Sequence, residues 1–438
     1  MKYETYPKMK DSGFEWIGEI PKDWHIDKIK YHYEIVSGKV LQSKQKSSEE
    51  KLVDYLTVGN VLWEKINLKK SNQMWANEHE IKKIGIKNND LLICEGGEAG
   101  RSAIISGIKN KCIVQNHIHR IRPKDELSNQ FLMYMIEFFN SIKFLETIIG
   151  RVTIASLPRL TLANLPMIVP EYEQEKIAEF LQMEIKKIDE SIMKNKELGK
   201  ILNEKKHTTI NNAVTKGLDH SRVMKDSGVE WIKKIPKGWD ISSLGKHCNE
   251  IQDMDHQMPK KTDSGIPFLS ISHVVGSDEI NFNEAEYISE RDYQKFLKKI
   301  KPEKNDILYS RVGTICEARL IREDRKFAFT YNVVIIKPKK ILNSSFLFHL
   351  LNSEIIKERV KFLAPKTTHP FLGLEDIKRI QIIIPDIKEQ KKIAEFLDEK
   401  IPQINSIIYK NELRVKKLNE YRQSLIANTI SGKICITN

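Results

Sequence analysis

Two stretches of the sequence contain residue types that could hold a catalytic metal. Pro385 and Asp386, followed by Glu389 to Lys391, have the composition of a nuclease signature in which acidic side chains bind a metal ion. Such acids converge from neighbouring strands, whereas these stand within one turn at the predicted start of a helix, where acids cap the helix and complement its dipole. His117 and His119 could also bind a metal, but no third ligand stands at a suitable spacing. The sequence therefore predicts neither a nuclease site nor a metal site.

Phosphate-binding and methyl-transfer motifs are missing as well. The glycine-rich stretch from Gly96 to Arg101 lacks the Lys-Ser/Thr that completes a phosphate-binding loop. No Pro-Pro dipeptide occurs, which excludes the Asn-Pro-Pro-Tyr site of an amino-methyltransferase. The five cysteines form no close pair, so neither a disulfide framework nor a Cys-x-x-Cys zinc site is predicted. We therefore expect a chain that is not an enzyme and binds no cofactor of its own.

The composition is that of a folded, basic protein. The 438 residues include 72 Lys and Arg against 59 Asp and Glu, a formal net charge of +13, and 40% of them are hydrophobic. No apolar run approaches the roughly 18 residues of a membrane span, and residues 1–10 lack the apolar region of a secretory signal. We therefore expect a cytoplasmic location and no membrane partner. The basic balance favours a nucleic-acid partner, although Lys-rich composition alone is weak support.

The sequence contains an internal repeat, and this repeat determines the predicted domain organisation before any helix or strand is assigned. Residues 9–24 match residues 224–239 at twelve of sixteen positions, and EQEKIAEFL at 173–181 recurs as EQKKIAEFL at 389–397. The predicted organisation is an N-terminal repeat segment (1–24), a first domain (25–170), a central helix (171–216), a second repeat segment (217–239), a second domain (240–385) and a C-terminal helix (386–438). Each repeat segment carries two tryptophans that we expect to pack against a helix or a domain: Trp16, Trp24, Trp231 and Trp239.

The two long segments between the repeated ends share a skeleton but little identity. YLTVGNV at 55–61 parallels FLSISHV at 268–274. Short apolar runs end at Gly, Asn or Asp, and helical pieces are predicted at 130–149 and 344–361. Each segment is therefore predicted to be a mixed α/β domain.

Equivalent loop positions of the two domains differ in charge. Glu95 falls opposite Arg311, and Arg101 falls opposite Glu317. Two related recognition domains with different targets would show this pattern. Ordinary drift after duplication is the simpler alternative.

The segments after each domain predict two long helices. Apolar residues recur at spacings of three and four, for example from Ile177 to Ile192 and from Ile393 to Ile408. Such stripes cover each other in a coiled coil, and one chain holding both helices favours an intramolecular antiparallel pair with an internal pseudo-twofold axis. Pairing between two chains is the alternative. Pro402 lacks a backbone donor and is predicted to kink or restart the second helix near Lys400.

A polar residue interrupts each apolar stripe at the same place. The heptad pattern puts Asn195 and, by the repeat, Asn411 within the stripes. Residues near the midpoint of a twofold antiparallel pair meet their own equivalents. We therefore expect the two asparagines to approach each other and fix the helix register, because a buried polar pair penalises slipped alignments.

The positive charge lies on the domains and not on the helices. Residues 171–216 carry no net charge and residues 386–433 carry +3, which leaves +10 for the remainder. Basic clusters that could meet DNA phosphates are Lys39, Lys44 and Lys46 in the first domain, and Lys260 and Lys261 in the second. Candidates for reading bases are Asn60, Arg101, Asn116, His117 and His119 in the first domain, and His273, Arg311, Tyr331, Asn332 and His369 in the second.

The order of these motifs resembles the specificity subunit of type I restriction-modification systems. Each half opens with SGxEWIxxIPKxW, continues with a variable domain, and ends with an IP or VP step into EQxxIAxFL and a long helix. The resemblance covers essentially the whole chain. It implies that residues 25–170 and 240–385 are target recognition domains, each reading one half of a bipartite, asymmetric sequence in double-stranded DNA, and that the helices set the spacer.

The resemblance also implies partners and further site residues. Two methyltransferase (M) subunits would dock on the repeated regions, and restriction (R) translocase-nuclease subunits would add cleavage. S-adenosylmethionine, ATP and Mg would be bound by those subunits. The family's loop after the last domain helix falls on 150–156 and 364–369, which contains His369 and adds three residues to the DNA-contacting set: Arg151, Lys366 and Thr367.

Two other functions stay open at this point. A coiled-coil scaffold that binds only proteins would explain the helices but not the charge on the domains. The chain could also be the DNA-recognition part of a different restriction-methylation enzyme whose catalytic motifs lie on a separate chain.

Overall fold

The computed structural model describes residues 3–70, 72–149, 156–170, 173–254, 258–276, 279–364 and 370–436. The chain divides into two compact units: unit 1 is Met1–Asn195 with Leu413–Asn438, and unit 2 is Lys196–Glu412. Both units mix helices with strands, which confirms the predicted α/β class. None of the described helices is both long enough and apolar enough to span a membrane.

In its described residues, unit 1 contains the first thirteen strands and five short helices. Its strands are β1 (Met9–Asp11), β2 (Glu19–Pro21), β3 (His25–Lys28), β4 (Tyr33–Ser37), β5 (Lys51–Leu56), β6 (Val61–Leu62), β7 (Lys65–Ile66), β8 (Asn72–Ala76), β9 (Leu91–Cys94), β10 (Ser102–Ile104), β11 (Cys112–Val114), β12 (Ile118–Pro123) and β13 (Pro166–Val169). Its helices are α1 (Ile29–His32), α2 (Glu78–Ile84), α3 (Asn129–Ser141), α4 (Phe144–Ile149) and α5 (Arg159–Asn164), with 3-10 turns at Val58–Asn60 and Leu68–Lys70.

Unit 2 repeats this series, and two long helices contribute to both units. The long helices are α6 (Gln174–Lys216) and α11 (Ile387–Ile430). The strands of unit 2 are β14 (Met224–Asp226), β15 (Lys234–Pro236), β16 (Asp240–Ser243), β17 (Cys248–Asp253), β18 (Lys261–Thr262), β19 (Ile266–Leu269), β20 (Glu286–Ile288), β21 (Ile307–Ser310), β22 (Ala318–Leu320), β23 (Ala328–Phe329), β24 (Val333–Pro338) and β25 (Gln381–Ile384). Its short helices are α7 (Glu290–Leu297), α8 (Ser344–Leu351), α9 (Glu354–Leu363) and α10 (Leu374–Arg379), with 3-10 turns at Leu244–His247 and Ile271–His273.

A four-stranded antiparallel sheet lies at the centre of each domain and has the same strand order in both. The order is β10-β9-β12-β4 in unit 1 and β22-β21-β24-β17 in unit 2. A second sheet in each domain contains one parallel pair, β5 with β11 and β19 with β23. The inner strands of the central sheets, such as Leu91–Cys94 and Ile307–Ser310, are buried throughout. The repeat that the sequence shows only at its ends therefore extends through both domains.

One repeated turn shows how the sequence sets this skeleton. Asn89 and Asn305, each just ahead of the central strand, adopt positive φ angles of 72° and 74°, which asparagine tolerates better than most residues. The aspartate that follows each asparagine accepts a backbone hydrogen bond three residues back, at 2.7 Å for Asp90 and 2.8 Å for Asp306. The Asn-Asp pair is thus a turn signal that begins the same strand twice.

The two predicted helical pieces are each split into two helices. The piece predicted at 130–149 breaks after Ser141, because Lys143 adopts a positive φ of 59°. The piece predicted at 344–361 breaks at Asn352, whose side chain donates to the Ala318 carbonyl at 3.0 Å, and a new helix begins after Ser353. A local turn and a tertiary hydrogen bond therefore interrupt the two helices that hydrophobic periodicity alone predicts to be continuous.

In each unit the beginning of one long helix packs with the end of the other, as the predicted antiparallel pair requires. The core of unit 1 contains Ile177 to Ile192 together with Leu425 and Ile430. The core of unit 2 contains Ile210 and Val214 together with Ile393 to Ile404. These same cores include the domain helices α3 in unit 1 and α8 in unit 2, so each stripe also packs against its domain.

Of the kink or restart predicted near Lys400, the restart is wrong, and the kink stays a prediction. Helix α11 is continuous through Pro402. The neighbouring Ile401 and Ile404 are both buried in the core of unit 2. Packing on either side of the proline holds the helix together and outweighs the loss of one backbone donor.

The repeat segments form matching hairpins whose tryptophans pack as predicted. Met9 pairs with Pro21, and Met224 with Pro236, in the same antiparallel register. The indole nitrogen of Trp24 donates to Glu173 at 3.2 Å, and that of Trp239 donates to Glu389 at 2.9 Å. Both acceptors are the first glutamate of the repeated EQxxIAxFL motif.

The other two tryptophans also contact side chains of their own units. Trp16 stacks on Phe144 with ring centroids 4.0 Å apart. Trp231 lies 5.8 Å from the guanidinium of Arg359. These contacts fix each hairpin against its domain, as expected from the sequence.

Both stripe asparagines are buried, at 8% exposure for Asn195 and 7% for Asn411. The Asn195 amide donates to the Ser191 carbonyl at 2.7 Å. A Cβ at Gly199 would lie 3.2 Å from the Asn411 amide nitrogen, so glycine leaves room for that side chain. Asn195 and Asn411 belong to different units, and their mutual approach stays a prediction.

Candidate nucleic-acid interface

Loops at one end of the central sheet bring the predicted base-reading residues of unit 1 together. The Glu95 N–H donates to the His117 carbonyl, and the Asn116 N–H donates to the Lys39 carbonyl, both at 2.9 Å. The Arg101 guanidinium donates to the Val58 carbonyl at 2.8 Å. Four segments that are distant in sequence therefore form one surface, which we call loop cluster 1: residues 38–39, 57–60, 95–101 and 115–117.

Unit 2 builds an equivalent surface with the same backbone hydrogen bonds. The Arg311 N–H donates to the Asn332 carbonyl at 3.1 Å, as Glu95 does to His117. We call this surface loop cluster 2: residues 253–254, 270–273, 311–317, 330–332 and 370–372. In both units a leucine in the segment after the domain helices donates its N–H to the cluster. The Leu157 N–H donates to the Glu95 carbonyl at 2.7 Å, and the Leu372 N–H donates to the Arg311 carbonyl at 2.8 Å.

The side chains that the clusters present to solvent differ between the units. His117 is exposed, and the half-buried Asn116 lies 3.4 Å from its ring nitrogen. The equivalent positions in unit 2 hold Tyr331 and Asn332, both half-buried. An amide with an imidazole faces outward in one domain, and a phenol with an amide in the other. All four side chains can donate or accept at a base edge.

The predicted lysines of unit 1 lie in two different environments. Lys39 is only 13% exposed and its ammonium lies 2.5 Å from Glu80, so this lysine stabilises the domain instead of meeting phosphates. Lys44 and Lys46 are exposed on a separate loop. Glu50 holds that loop by accepting from the Lys46 N–H at 2.6 Å and from Gln42 at 2.8 Å. Only Lys44 and Lys46 can approach a phosphate without breaking an internal ion pair.

In unit 2 the lysines are both exposed. Lys261 pairs with Glu286 at 2.5 Å, a surface contact that DNA phosphate could displace. Lys260 lies at the edge of a cavity of about 370 Å³ that Tyr331 also lines. The structure thus brings one predicted phosphate contact and one predicted base contact of unit 2 to the same place.

Three predicted base readers are buried and hold the loops instead. Asn60 and His273 are 3% and 7% exposed. Each accepts the backbone N–H three residues earlier, from Thr57 and Ser270, at 2.9 Å. Their burial contradicts the predicted DNA contact. Their equivalent places in the parallel stretches 55–61 and 268–274 reflect a shared capping role.

His119 is the third buried member of this set, with no exposed surface. Its ring bonds to the Ser37 hydroxyl at 3.1 Å and to the Leu157 carbonyl at 2.9 Å. Burial lowers the pKa of His119, although the Leu157 carbonyl and Glu95 favour the charged form. Because both ring nitrogens are engaged, the prediction that His119 reads a base is contradicted.

The two predicted arginines make internal contacts. Arg101, 18% exposed, donates to Glu98 at 3.2 Å as well as to the Val58 carbonyl. Arg311, 12% exposed, forms an ion pair with Asp253. These arginines shape their loops, and direct base reading would require them to exchange those partners.

The remaining predicted residues, Arg151, Lys366, Thr367 and His369, lie outside the described part of the chain. Each therefore stays a prediction.

Sequence reasoning missed two side chains of the loop clusters. Phe371 is 51% exposed and bridges to Val312 in loop cluster 2, where an aromatic ring could contact a thymine methyl group. Glu95, whose side chain is 24% exposed, accepts from Ser156 at 3.5 Å in loop cluster 1 and could accept from a cytosine amino group. Phe371 stands in ordinary-looking sequence, whereas Glu95 was noted for its difference in charge from Arg311 but not as a DNA contact. The fold places both beside the other loops.

Comparison with known proteins gives this arrangement a family. The model of the type I restriction modification DNA specificity domain matches the chain twice, at residues 21–207 and 236–414. The chain is 25% identical over 446 residues to the MjaIX type I restriction enzyme specificity subunit of Methanocaldococcus jannaschii, covering 99% of this chain and 97% of that protein. It is also 25% identical over 293 residues to the EcoBI specificity subunit of Escherichia coli, covering 65% and 61% of the two chains.

Solved structures share the fold. A chain solved in work on complex assembly and conformational transition of the type I R-M system has a TM-score of 0.69 at 14% identity, covering 94% of this chain and 98% of that one. The HsdS subunit from Thermoanaerobacter tengcongensis has a TM-score of 0.53 at 15% identity, covering 95% and 98%. At these identities the likeness concerns the fold alone. Two family matches that together span most of the sequence decide the assignment: the chain belongs to the type I restriction-modification DNA specificity family.

Proposed function

We propose that this chain is the DNA-reading subunit of a type I restriction-modification complex. Each domain reads one half of a bipartite, asymmetric target in double-stranded DNA, unit 1 through loop cluster 1 and unit 2 through loop cluster 2. The long helices set the spacer between the half-sites. The chain itself carries out no catalysis.

One observation carries this proposal: a shared backbone frame presents different side chains. The backbone hydrogen bond between residues 95 and 117 of unit 1 recurs in unit 2 between residues 311 and 332. Likewise, the backbone hydrogen bond between residues 157 and 95 recurs between residues 372 and 311. The side chains at the surface of that frame are chemically different: the half-buried Asn116 and exposed His117 in unit 1, and the half-buried Tyr331 and Asn332 in unit 2. Two copies of one reading surface with different donors and acceptors suit two different half-sites.

The proposal extends to partner subunits. Two methyltransferase subunits would dock on the repeated hairpins and the helix starts, where the tryptophan to glutamate contacts give the same local structure in both units. Those subunits would bring S-adenosylmethionine, and translocase-nuclease subunits would bring ATP and Mg. A coiled-coil scaffold that binds only proteins would need no such difference between the loop clusters, and the net charge of +10 outside the helices favours the DNA-reading function over it.

Methylome sequencing tests the proposal directly. Cells without other adenine methyltransferases would express the chain together with its methyltransferase subunit. We expect adenine methylation at one bipartite, asymmetric motif, and none when this chain is left out. A palindromic motif, or methylation that persists without the chain, would contradict the proposal.

Paired variants then assign the half-sites. The double variant Asn116→Ala/His117→Ala should relax or abolish recognition of one half-site only, and Tyr331→Ala/Asn332→Ala that of the other. Lys340→Ala is a matched control, since Lys340 is exposed just beyond the far end of the strand that follows Asn332. The same half-site changing in both double variants would contradict the assignment of one loop cluster to each half.

A further inference from the structure

We propose that His25, Asp27 and His32 form a binding site for one divalent transition-metal ion of the Zn²⁺ class. Among the described residues these three bring one ring nitrogen or carboxylate oxygen each within 4.8 Å of the other two. The site lies at the start of the first domain and is separate from the loop clusters. It is independent of the proposed DNA-reading function.

The local fold explains why these three residues meet. His25 and Asp27 are two positions apart on β3, so their side chains leave the same face of the strand. Pairing with β13 fixes that face, with His25 opposite Val169 and Asp27 opposite Met167. The single turn of α1 then returns the chain, and its last residue, His32, comes back over the strand. The spacing His-x-Asp-x₄-His therefore becomes a compact cluster only through the strand and turn that follow each other here.

Hydrogen bonds already orient two of the three donors. A ring nitrogen of His32 lies 3.0 Å from one carboxylate oxygen of Asp27, and the other oxygen accepts the Lys28 N–H at 2.8 Å. The His32 carbonyl accepts the Lys124 N–H at 2.9 Å, which anchors the end of the turn. The bond from the Lys28 N–H is the kind of outer contact that positions a ligand in metal sites. A bound ion would replace the proton between Asp27 and His32.

The donor set suits zinc in number, type and spacing. Zinc binds His nitrogen and Asp oxygen at about 2.0–2.2 Å, which puts tetrahedral ligands roughly 3.3 Å apart. The Asp27 to His32 pair is already at that separation, and rotation of the exposed His25 side chain would bring in the third donor. Three protein ligands leave a fourth position open to water. The side-chain exposures of 33% for Asp27 and 19% for His32 give an ion access from solvent.

The second half of the chain provides a built-in comparison. The repeat places Asp240, Ser242 and His247 at the positions equivalent to His25, Asp27 and His32. Asp240 and Ser242 lie on β16, which pairs with β25 in the same way, and His247 ends the equivalent turn. Serine there removes the central carboxylate. The fold thus exists without the metal ligands in one copy, and the donor set in the other is not a requirement of the fold.

Zinc titration of the untagged full-length chain tests the inference. The metal-stripped protein is titrated with ZnCl₂ by isothermal calorimetry, and its melting temperature is measured with and without zinc. We expect one ion per chain and a zinc-dependent rise in melting temperature. His25→Ala, Asp27→Asn and His32→Ala should each weaken binding at least about 10-fold.

His247→Ala is the matched control and should bind zinc like the wild type. Far-UV circular dichroism of each metal-free variant separates lost ligands from lost folding. Asp27→Asn is the decisive variant here, because it keeps the shape of the side chain. Absence of saturable binding near one ion per chain, equal binding by the folded Asp27→Asn variant, or an equal loss in His247→Ala would each overturn the inference.

Discussion

At the scale of single residues, different side chains perform the same structural task in the two domains. Asn60 and His273 occupy the same place after their strands, and both accept the N–H of the residue three positions earlier. Each also donates to a second backbone carbonyl, Asn60 to Asn67 at 2.8 Å and His273 to Glu284 at 3.1 Å. An amide and an imidazole are interchangeable here because the loop needs one acceptor and one donor at a fixed separation.

Burial of His119 predicts a specific pH dependence of stability. Its pKa is lower in the folded chain than the ordinary value near 6.5, so the proton binds mainly to the unfolded chain. The stabilisation is therefore present above about pH 6.5 and is lost as the pH falls. We expect the free energy of unfolding of the wild type to fall between pH 7.5 and pH 5.5 more steeply than that of His119→Gln, by up to about 1.4 kcal/mol per pH unit.

Urea unfolding followed by tryptophan fluorescence at several pH values measures this difference. His117→Gln is the matched control, in which the same substitution is made at an exposed position of the same segment. Parallel pH profiles for the wild type and His119→Gln would show that His119 does not titrate on unfolding.

Residue types near the strand ends could be predicted from the sequence, but their exposure could not. Asn116 and His117 were predicted to contact bases, and they lie in loop cluster 1 with His117 exposed and Asn116 half-buried. His119, two positions further along, was expected there too and is fully buried. The strand that begins at Ile118 turns the His119 side chain into the domain, and no local pattern distinguishes the last loop residue from the first strand residues.

At the scale of elements, a network of charges ties the last helix to the first domain. The Arg422 guanidinium, 14% exposed, contacts the carboxylates of Glu64 and Glu137, and its Nε lies 3.3 Å from Asp189. Acids from the turn between β6 and β7, from α3 and from α6 therefore share one arginine on α11. The arginine lowers the repulsion among carboxylates that are partly removed from water.

Removing this arginine should destabilise unit 1. Arg422→Met keeps much of the side-chain length but leaves three carboxylates without their cation, at an expected cost of about 3 kcal/mol. Differential scanning fluorimetry or urea unfolding measures the change. Lys417→Met, on an exposed position of the same helix, is the control and should change stability little. Equal stability of the two variants would mean that the network contributes nothing.

The helices were the most predictable elements and the domain interiors the least. A stripe at spacings of three and four predicted helices at 171–216 and 386–438, and α6 and α11 begin within three residues of those bounds, although α11 already ends at Ile430. The break of α3 at Lys143 depends on a backbone conformation, and the break of α8 on a hydrogen bond to Ala318, neither of which leaves a periodic signal. A long regular pattern predicts a helix reliably, whereas the ends of short helices are determined by tertiary contacts.

At the scale of the whole molecule, the two distant ends of the sequence are neighbours within unit 1. The Cys435 N–H donates to the Glu4 carbonyl at 2.8 Å. After both long helices a glycine packs on the tryptophan of a repeat segment: Gly217 on Trp239, and Gly432 on Trp24. In the middle of the chain, α6 is joined to the second hairpin by the peptide backbone. In unit 1, the end of α11 meets the first hairpin in the equivalent way, but through non-covalent contacts.

A circular permutant should fold for this reason. Joining residue 438 to residue 1 with a short Gly-Ser linker and opening the chain between His220 and Ser221 cuts an exposed segment. We expect a soluble protein whose melting temperature lies within a few degrees of the wild type. The control opens the chain between Gly199 and Lys200, inside α6, and should unfold at markedly lower temperature. Similar melting of both permutants would contradict the equivalence of the two junctions.

The discontinuity of unit 1 has a consequence for synthesis of the chain. Its core includes Leu425, Ile426, Ile430 and Ile434, which are synthesised after the whole of unit 2, because unit 2 is complete once residue 412 has emerged. Unit 2 can therefore finish folding first, while the first part of unit 1 waits with an open core for the residues from 413 onwards. A stop codon placed just after residue 412 would then damage the first domain and leave unit 2 complete.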